Sequence, residues 1–178
     1  LHSVTKFLAG HGDVLGGVVA CAEEHAGPLR QVRIVTGAVL HPLGGYLMHR
    51  GLATLPLRVD AAQRTATDLA ARLDAHPGTG LVRHPSLPGA DPSGLVGTQM
   101  RGPGAMLALT TREDPAAVVR RLRLVTPAVS LGSVDTLIEH PAALTHRLVP
   151  DAAREESGVP ANLLRLSVGL EDVEDLWD

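Results

Sequence analysis

The sequence predicts an α/β protein in two regions that are joined by a helix. Residues 13–22 form a mostly apolar run with a pair of glycines, which is typical of a buried strand that another element approaches closely. Residues 60–76 carry apolar side chains at helical spacing, and Pro77 stops the pattern. Short β-like runs follow only after a loop rich in Pro and Gly. The first region therefore has the character of an α/β layer edge, and the second that of a small α+β domain.

Each predicted element rests on a local signal. A helix-like pattern at 23–35 is interrupted by Gly27-Pro28. Asp60 is placed to cap the helix at 60–76, and Asp114-Pro115 opens a helix that runs to residue 124. The buried face of the first of these helices is predicted to comprise Ala62, Ala66, Leu69 and Leu73, and the strands are predicted at 105–110, 125–131 and 163–169.

Composition excludes several classes of function. The net charge is −3 and the arginines are spread along the chain, so no basic stripe marks a nucleic-acid surface. No apolar run approaches the roughly 18 residues of a membrane span. Cys21 is the single cysteine, which rules out an internal disulfide, and the histidines show no zinc-ligand spacing. We therefore expect a cytoplasmic protein without a metal site.

The use of lysine points to covalent chemistry. The 16 basic residues comprise 15 arginines and one lysine, Lys6, which follows the hydroxyl side chains of Ser3 and Thr5. An amine condenses with an aldehyde, which a guanidinium does not, and hydroxyls hydrogen-bond phosphate. The segment therefore suits a phosphorylated aldehyde. The alternative is a surface lysine after a polar turn.

A second candidate site lies near two later strands. In the run 162–169, Arg165 and Ser167 alternate with apolar residues and so share one face of a strand, where an arginine can clamp a carboxylate. Ser130 ends another apolar run and is placed to hold the same carboxylate. The alternatives are a solvated arginine and a turn serine.

Other polar residues have simpler explanations. His140 and His146 fit neither a helical zinc pair nor a hydrolase motif, so we assign them structural roles. The acidic residues within 171–175 are placed to complement the dipole of a terminal helix.

Together these segments resemble the Cys/Met-metabolism pyridoxal-phosphate enzymes, which include cystathionine synthases and lyases, methionine γ-lyase and O-acylhomoserine sulfhydrylases. The resemblance covers nearly the whole chain, and its motifs stand in the family's order. It is carried by residues 2–7, 10–13, 36–40, 50–58, 130–132, 139–141, 145–146 and 165–172.

The resemblance implies a role for each candidate residue. By this resemblance, Lys6 is the Schiff-base lysine and the proton shuttle. Ser3 and Thr5 would contact the phosphate of pyridoxal 5'-phosphate. Ser130 and Arg165 would hold the substrate α-carboxylate. It also implies a fold-type I large domain followed by a small α+β domain. Residues 1–58 would be the remainder of the large domain, 59–78 the connecting helix and 79–178 the small domain.

The implied activity is elimination from a sulfur amino acid by a carbon–sulfur lyase, through a Schiff base at Lys6, within transsulfuration. Val129 stands where cystathionine γ-lyases commonly have a glutamate, which favours methionine-, homocysteine- or cysteine-type substrates. The alternatives are a transferase, either cystathionine γ-synthase or O-acylhomoserine sulfhydrylase, and a non-catalytic module.

The resemblance also predicts partners for the chain. The sequence starts at Leu1 without methionine, and we expect it to be a fragment equivalent to the carboxy-terminal half of the family. The family's phosphate loop, stacking aromatic and acidic partner of the pyridine nitrogen lie upstream, so catalysis would require the amino-terminal half. The family also implies a homodimer or homotetramer.

Overall fold

A computed structural model describes all 178 residues as two compact units, Leu1–Leu55 and Pro56–Asp178. Helices and strands occur in both units, in agreement with the predicted α/β class. No helix in the protein combines the length and the apolar character needed to cross a membrane.

The first unit consists of a short hairpin-like pair and two helices. Strands β1 (His2–Ser3) and β2 (Gly17–Val18) pair antiparallel, and a π-helical segment, Val4–Leu8, follows β1 directly. The helices are α1 (Glu23–Thr36) and α2 (Pro42–Leu52). The small core of this unit consists of Val4, Ala9 and Val14, with Leu8, Val18, Leu40, Leu47 and Met48 packed against it.

Two expectations for the first unit are wrong. Only Gly17–Val18 of the run 13–22 is a strand, and most residues of that run are exposed. Helix α1 does not end at Pro28 but continues through it, although proline has no backbone N–H to donate. No residue of α1 is buried in this chain, so the apolar side chains of this helix are exposed to solvent here.

The second unit packs helices with a five-stranded sheet. Its strand order is β3-β4-β7-β6-β5, and every neighbouring pair is antiparallel except β5 and β6. The strands are β3 (Thr79–Arg83), β4 (Met106–Thr111), β5 (Thr126–Pro127), β6 (Leu137–Glu139) and β7 (Leu163–Ser167). The helices are α3 (Leu55–Ala75), α4 (Pro115–Arg121), α5 (Asp151–Glu156) and α6 (Val173–Trp177). Buried positions alternate along the central strand β4, whereas every residue of β7 except Arg165 is buried.

The predicted buried face of helix α3 is confirmed, but its predicted start is wrong. Ala62, Ala66 and Leu69 are buried and Leu73 is half-buried, whereas the helix begins at Leu55 instead of after Asp60. Pro56 explains the earlier start, because proline is tolerated in the first turn of a helix. Asp60 therefore lies inside the helix and is not its cap.

The predicted start of α4 is confirmed. The Asp114 carboxylate accepts hydrogen bonds from the backbone N–H groups of Ala116 and Ala117, at 3.3 and 3.1 Å. The helix ends at Arg121 instead of residue 124, and the strand expected at 125–131 shortens to Thr126–Pro127.

A buried histidine fastens the long loop of the second unit. His84 is 2% exposed, its Nε2 lies 3.1 Å from the Gly104 carbonyl oxygen, and its Nδ1 lies 3.3 Å from the Ser86 backbone nitrogen. The Gly104 N–H in turn donates to Gln63 Oε1 of α3, at 3.0 Å. Burial lowers the pKa of His84, and the hydrogen bond to Gly104 opposes that shift. The neutral ring therefore joins both ends of the loop.

We expect acid to weaken the second unit through His84. A pKa lower in the folded state than the unfolded value of about 6.5 means that the stabilisation is complete above that pH. It is lost as the pH falls from about 6.5 toward the folded pKa, because the unfolded chain binds the proton more readily. Urea unfolding followed by the fluorescence of Trp177, the single tryptophan, measures the effect between pH 7.5 and 5.

The matched comparison is between His84→Gln and His49→Gln. His49 is exposed, so its replacement should leave the pH dependence as it is in the unmodified chain. His84→Gln should flatten that dependence. An equally steep loss of stability in His84→Gln would show that other groups cause it.

Candidate cofactor-binding and carboxylate-binding residues

Lys6 lies in a segment that the first unit holds at both ends. Val4 and Ala9 on either side are 0% and 1% exposed, and the Val4 N–H donates to the Gly16 carbonyl oxygen at 2.9 Å. At Lys6 itself the helical backbone is broken, with φ −97° and ψ −135°. The half-buried lysine is therefore presented from a fixed backbone and not from a free terminus.

The two hydroxyls beside Lys6 differ in their surroundings. Ser3 is exposed, and its side chain does not cap the segment that follows. Thr5 Oγ1 accepts a hydrogen bond from the Gly16 N–H at 3.0 Å and donates a long one to the Gly16 carbonyl oxygen at 3.4 Å. Thr5 therefore holds Gly16 in place, and a phosphate would compete only with the longer of these contacts.

A glycine lets α2 lie directly against the segment after Lys6. A Cβ atom on Gly51 would collide with the backbone carbonyl groups of Ala9 and Leu8. Backbone atoms cannot move aside as the end of a flexible side chain can. The position of the Lys6 segment therefore depends on glycine, which has no side chain, at position 51.

We expect Gly51→Ala to loosen the Lys6 segment. Steric overlap with backbone should cost about 1–3 kcal/mol, as in overpacked cores. Gly45→Ala is the matched control on the same helix, because nothing lies within 4 Å of a Cβ there. That change should stabilise the helix by about 0.5–1 kcal/mol. Hydrogen exchange of the amides of residues 4–10 measures both effects, and similar exchange in the two variants would contradict the packing argument.

The structure brings the two predicted carboxylate-binding residues together. Arg165 on β7 donates from Nη2 to the Ser130 carbonyl oxygen at 2.9 Å. Its side chain is 31% exposed, so the guanidinium is neither freely solvated nor sealed. Ser130 has φ 98° and is the only non-glycine residue with a positive φ. Such a backbone conformation costs about 1–3 kcal/mol and is concentrated at functional sites.

Two residues that the sequence analysis did not assign to the site hold Arg165 and Ser130 in place. Glu139 on β6 is the direct cross-strand partner of Arg165, and its Oε2 lies 2.6 Å from Arg165 Nη2. Ser167 Oγ accepts a hydrogen bond from the Gly132 N–H at 2.8 Å and so fastens the loop that contains Ser130. Strand alternation put Ser167 on the face of Arg165, but no signal in the sequence pairs β6 with β7.

The remaining polar candidates have structural contacts. His140 Nε2 lies 2.7 Å from the Ala161 carbonyl oxygen, and His146 Nδ1 lies 2.9 Å from Thr145 Oγ1. Glu171 departs from its expected place in a terminal helix. Its carboxylate accepts hydrogen bonds from the Thr136 N–H and hydroxyl, at 2.7 and 2.6 Å, and so joins the residue before β6 to the segment after β7. The cap of α6 is Asp172.

The candidate residues thus form two groups. Ser3, Thr5 and Lys6 lie in the first unit, and Ser130 and Arg165 in the second. The first group offers one amine and two hydroxyls, a donor set that suits a phosphorylated aldehyde. The second offers a guanidinium and a strained loop, which suit a carboxylate.

Comparisons with known proteins agree with this chemistry. The model of the family described as "Cys/Met metabolism PLP-dependent enzyme" matches residues 1–178. An L-methionine γ-lyase of Streptomyces avermitilis is 55% identical over 177 residues, which are 99% of this chain and 39% of that protein. This chain therefore spans less than half the length of that relative.

Solved structures give the same relationship. A cystathionine γ-lyase of Micromonospora echinospora superposes with a TM-score of 0.93 at 42% identity, over 98% of this chain and 47% of that one. A cystathionine γ-synthase of Xanthomonas oryzae, solved with cystathionine, gives a TM-score of 0.92 at 38% identity, over 99% of this chain and 46% of that one. The chain therefore belongs to the Cys/Met-metabolism family of pyridoxal-phosphate-dependent enzymes.

Proposed function

We propose that this chain forms part of a carbon–sulfur lyase that acts on a methionine-, homocysteine- or cysteine-type substrate. The observation that carries the proposal is Lys6, the single lysine of the chain, presented from a fixed segment in a member of a pyridoxal-phosphate-dependent family. The similarity to an L-methionine γ-lyase at 55% identity supports a lyase.

Lys6 is the group that would hold the cofactor. Its Nζ is the one side-chain amine of the chain able to bond the aldehyde carbon, and Ser3 and Thr5 would contact the phosphate. When bound, pyridoxal 5'-phosphate supplies a ring that accepts electron density from the substrate Cα. Once the substrate amine has replaced it, Lys6 Nζ would take the proton from Cα and carry it to another carbon.

Arg165 and Ser130 would orient the substrate. A guanidinium that faces the α-carboxylate fixes one end of the amino acid, so the bond to be broken at Cα keeps a constant direction. The strained backbone at Ser130 supports this role. We assign residues 1–58 to the large domain, 59–78 to the connecting helix and 79–178 to the small domain.

The proposal includes protein partners and a cellular location. Helix α1 exposes four large apolar side chains on a helix without a buried residue, Leu29, Val32, Ile34 and Val35. We propose that an amino-terminal half covers this surface, and that the enzyme is a homodimer or homotetramer in the cytoplasm. The experiments use a completed enzyme, in which this chain is joined to the amino-terminal part of the Streptomyces avermitilis relative.

Product analysis of the completed enzyme tests the proposed function. A lyase should convert methionine, homocysteine or cysteine to an α-keto acid, ammonia and a thiol or sulfide. The second candidate is a transferase, which the similarity to the Xanthomonas oryzae synthase favours. A new thioether formed from an O-acylhomoserine and a thiol, without keto acid from the sulfur amino acids, would replace the lyase assignment.

We expect Arg165→Lys to weaken substrate capture by about 1.5–3 kcal/mol, because a point ammonium lacks the rigid, planar set of N–H donors by which a guanidinium contacts the protein and a ligand together. The ratio kcat/KM should fall about 10- to 150-fold, while the visible absorbance of the bound cofactor should not change. Arg147→Lys is the matched control, since Arg147 is exposed in the same unit. Equal kcat/KM in the two variants would show that Arg165 does not bind the substrate.

A further inference from the structure

The partner of Arg165 is a buried acid. Glu139 is 1% exposed, and antiparallel pairing of β6 with β7 places it directly opposite Arg165. The Glu139 Oε2 to Arg165 Nη2 distance is 2.6 Å, yet neither oxygen of this carboxylate accepts a well-aligned hydrogen bond. The contact is therefore an ion pair by charge and distance, without the directional bonds that would fully compensate burial.

Such a pair is a poor device for stability. Moving two charges out of water requires a free energy that offsets much of the gain from their attraction. An apolar pair of similar size is therefore often as stable or more stable. A carboxylate that lacks aligned donors adds to that cost. The position of Glu139 is better explained by what it does to the guanidinium than by its contribution to folding.

The contacts of the guanidinium show which edge is left for a ligand. Nη2 is taken by Glu139 and by the Ser130 carbonyl oxygen. Nε is enclosed by protein and has no hydrogen-bond partner. Nη1 makes none of these contacts, so it is the nitrogen left for an entering anion.

We propose that Glu139 is a positioning residue for Arg165. It holds Nη2 on the protein side, so that Nη1 is directed at the α-carboxylate of an amino acid. The same contact keeps Nη2 within reach of the Ser130 carbonyl oxygen, so both components of the carboxylate site depend on Glu139. This inference rests on the proposed function only in taking an amino acid as the ligand.

Two physical effects of Glu139 oppose each other, and an isosteric substitution separates them. Its negative charge lowers the positive potential at Arg165 and so disfavours an anion. Its contact fixes the guanidinium, which spares the ligand the cost of ordering a long side chain. If orientation dominates, Glu139→Gln weakens carboxylate binding. If charge dominates, the same change strengthens it.

The experiment uses glycine and glycinamide with the completed, cofactor-loaded enzyme. Glycinamide keeps the amine but lacks the carboxylate, and each dissociation constant comes from the change in cofactor absorbance. For Glu139→Gln we expect the Kd of glycine and the substrate KM to rise about 5- to 30-fold, with kcat changed by less than about 3-fold. The Kd of glycinamide should stay constant. Glu139→Asp keeps the charge and should restore part of the affinity for glycine.

Two comparisons separate positioning from a general effect on folding. Glu113→Gln removes an exposed ion pair with Arg121 in the same unit and should change neither Kd. In the Arg165→Lys background, Glu139→Gln should have little further effect, because the two residues act through one contact.

The inference is overturned if Glu139→Gln lowers the Tm but leaves the Kd of glycine constant, raises both Kd values equally, or tightens glycine. Additive effects with Arg165→Lys, or a parent enzyme without preference for glycine over glycinamide, would overturn it too. If the parent enzyme binds glycine but cleaves no carbon–sulfur bond, the proposed function fails, and the Kd ratio still decides the role of Glu139.

Discussion

Replacing Lys6 by arginine in the completed enzyme is expected to abolish both turnover and the visible absorbance of the Schiff base between the cofactor and Lys6. Arginine keeps the positive charge, but its guanidinium does not condense with an aldehyde under physiological conditions. The flanking backbone should remain as it is, because Val4 and Ala9 supply the buried contacts of this segment. The thermal unfolding of the apo form should therefore stay close to that of the parent.

The absorbance spectrum and keto-acid release measure this effect together. Arg50→Lys is a useful control, since it adds an amine to the exposed surface of the same unit. It should not restore either signal when combined with Lys6→Arg. Persistent turnover in Lys6→Arg would remove Lys6 from the mechanism.

The second large effect is expected when the 178-residue chain is expressed by itself. It should bind pyridoxal 5'-phosphate weakly and show no carbon–sulfur lyase activity, and both should recover when the amino-terminal half is supplied in trans. The chain spans 39% of the Streptomyces avermitilis relative, and α1 leaves its apolar side chains exposed. Exposed apolar surface of this kind favours association over a stable fold.

We expect the second unit to fold better than the first. The first unit has a core of three buried residues, whereas the second has a five-stranded sheet with buried positions on β4 and β7. Hydrogen exchange should therefore show stronger protection in the second unit than in the first, with the strongest protection after about residue 100. Micromolar cofactor binding with lyase turnover by this chain alone would contradict the account.

The sequence predicts those parts of the molecule whose signals are local. The spacing of apolar residues in α3 identifies its buried face, and Asp114 marks the start of α4 through its capping carboxylate. Lys6 stands out by composition, because one lysine among 15 arginines needs a chemical reason. Alternation in β7 predicts the face that Arg165 shares with Ser167.

Features that depend on distant pairing are not predictable in this way. Strand β6 is three residues long, which is too short for a periodic pattern. The pairing of Glu139 with Arg165 therefore appears only once β6 lies beside β7. Pro28 shows the opposite error, because a strong local signal for a helix end is overridden within α1.

Trapping the cofactor on the protein tests the central claim most directly. Borohydride reduction of the completed, cofactor-loaded enzyme should leave a pyridoxyl group on the Nζ of Lys6, located by peptide mass spectrometry. No other lysine of this chain competes for the label, so the assignment is unambiguous within it. A label found only on the amino-terminal part, or none at all in an enzyme that releases keto acid, would contradict the account.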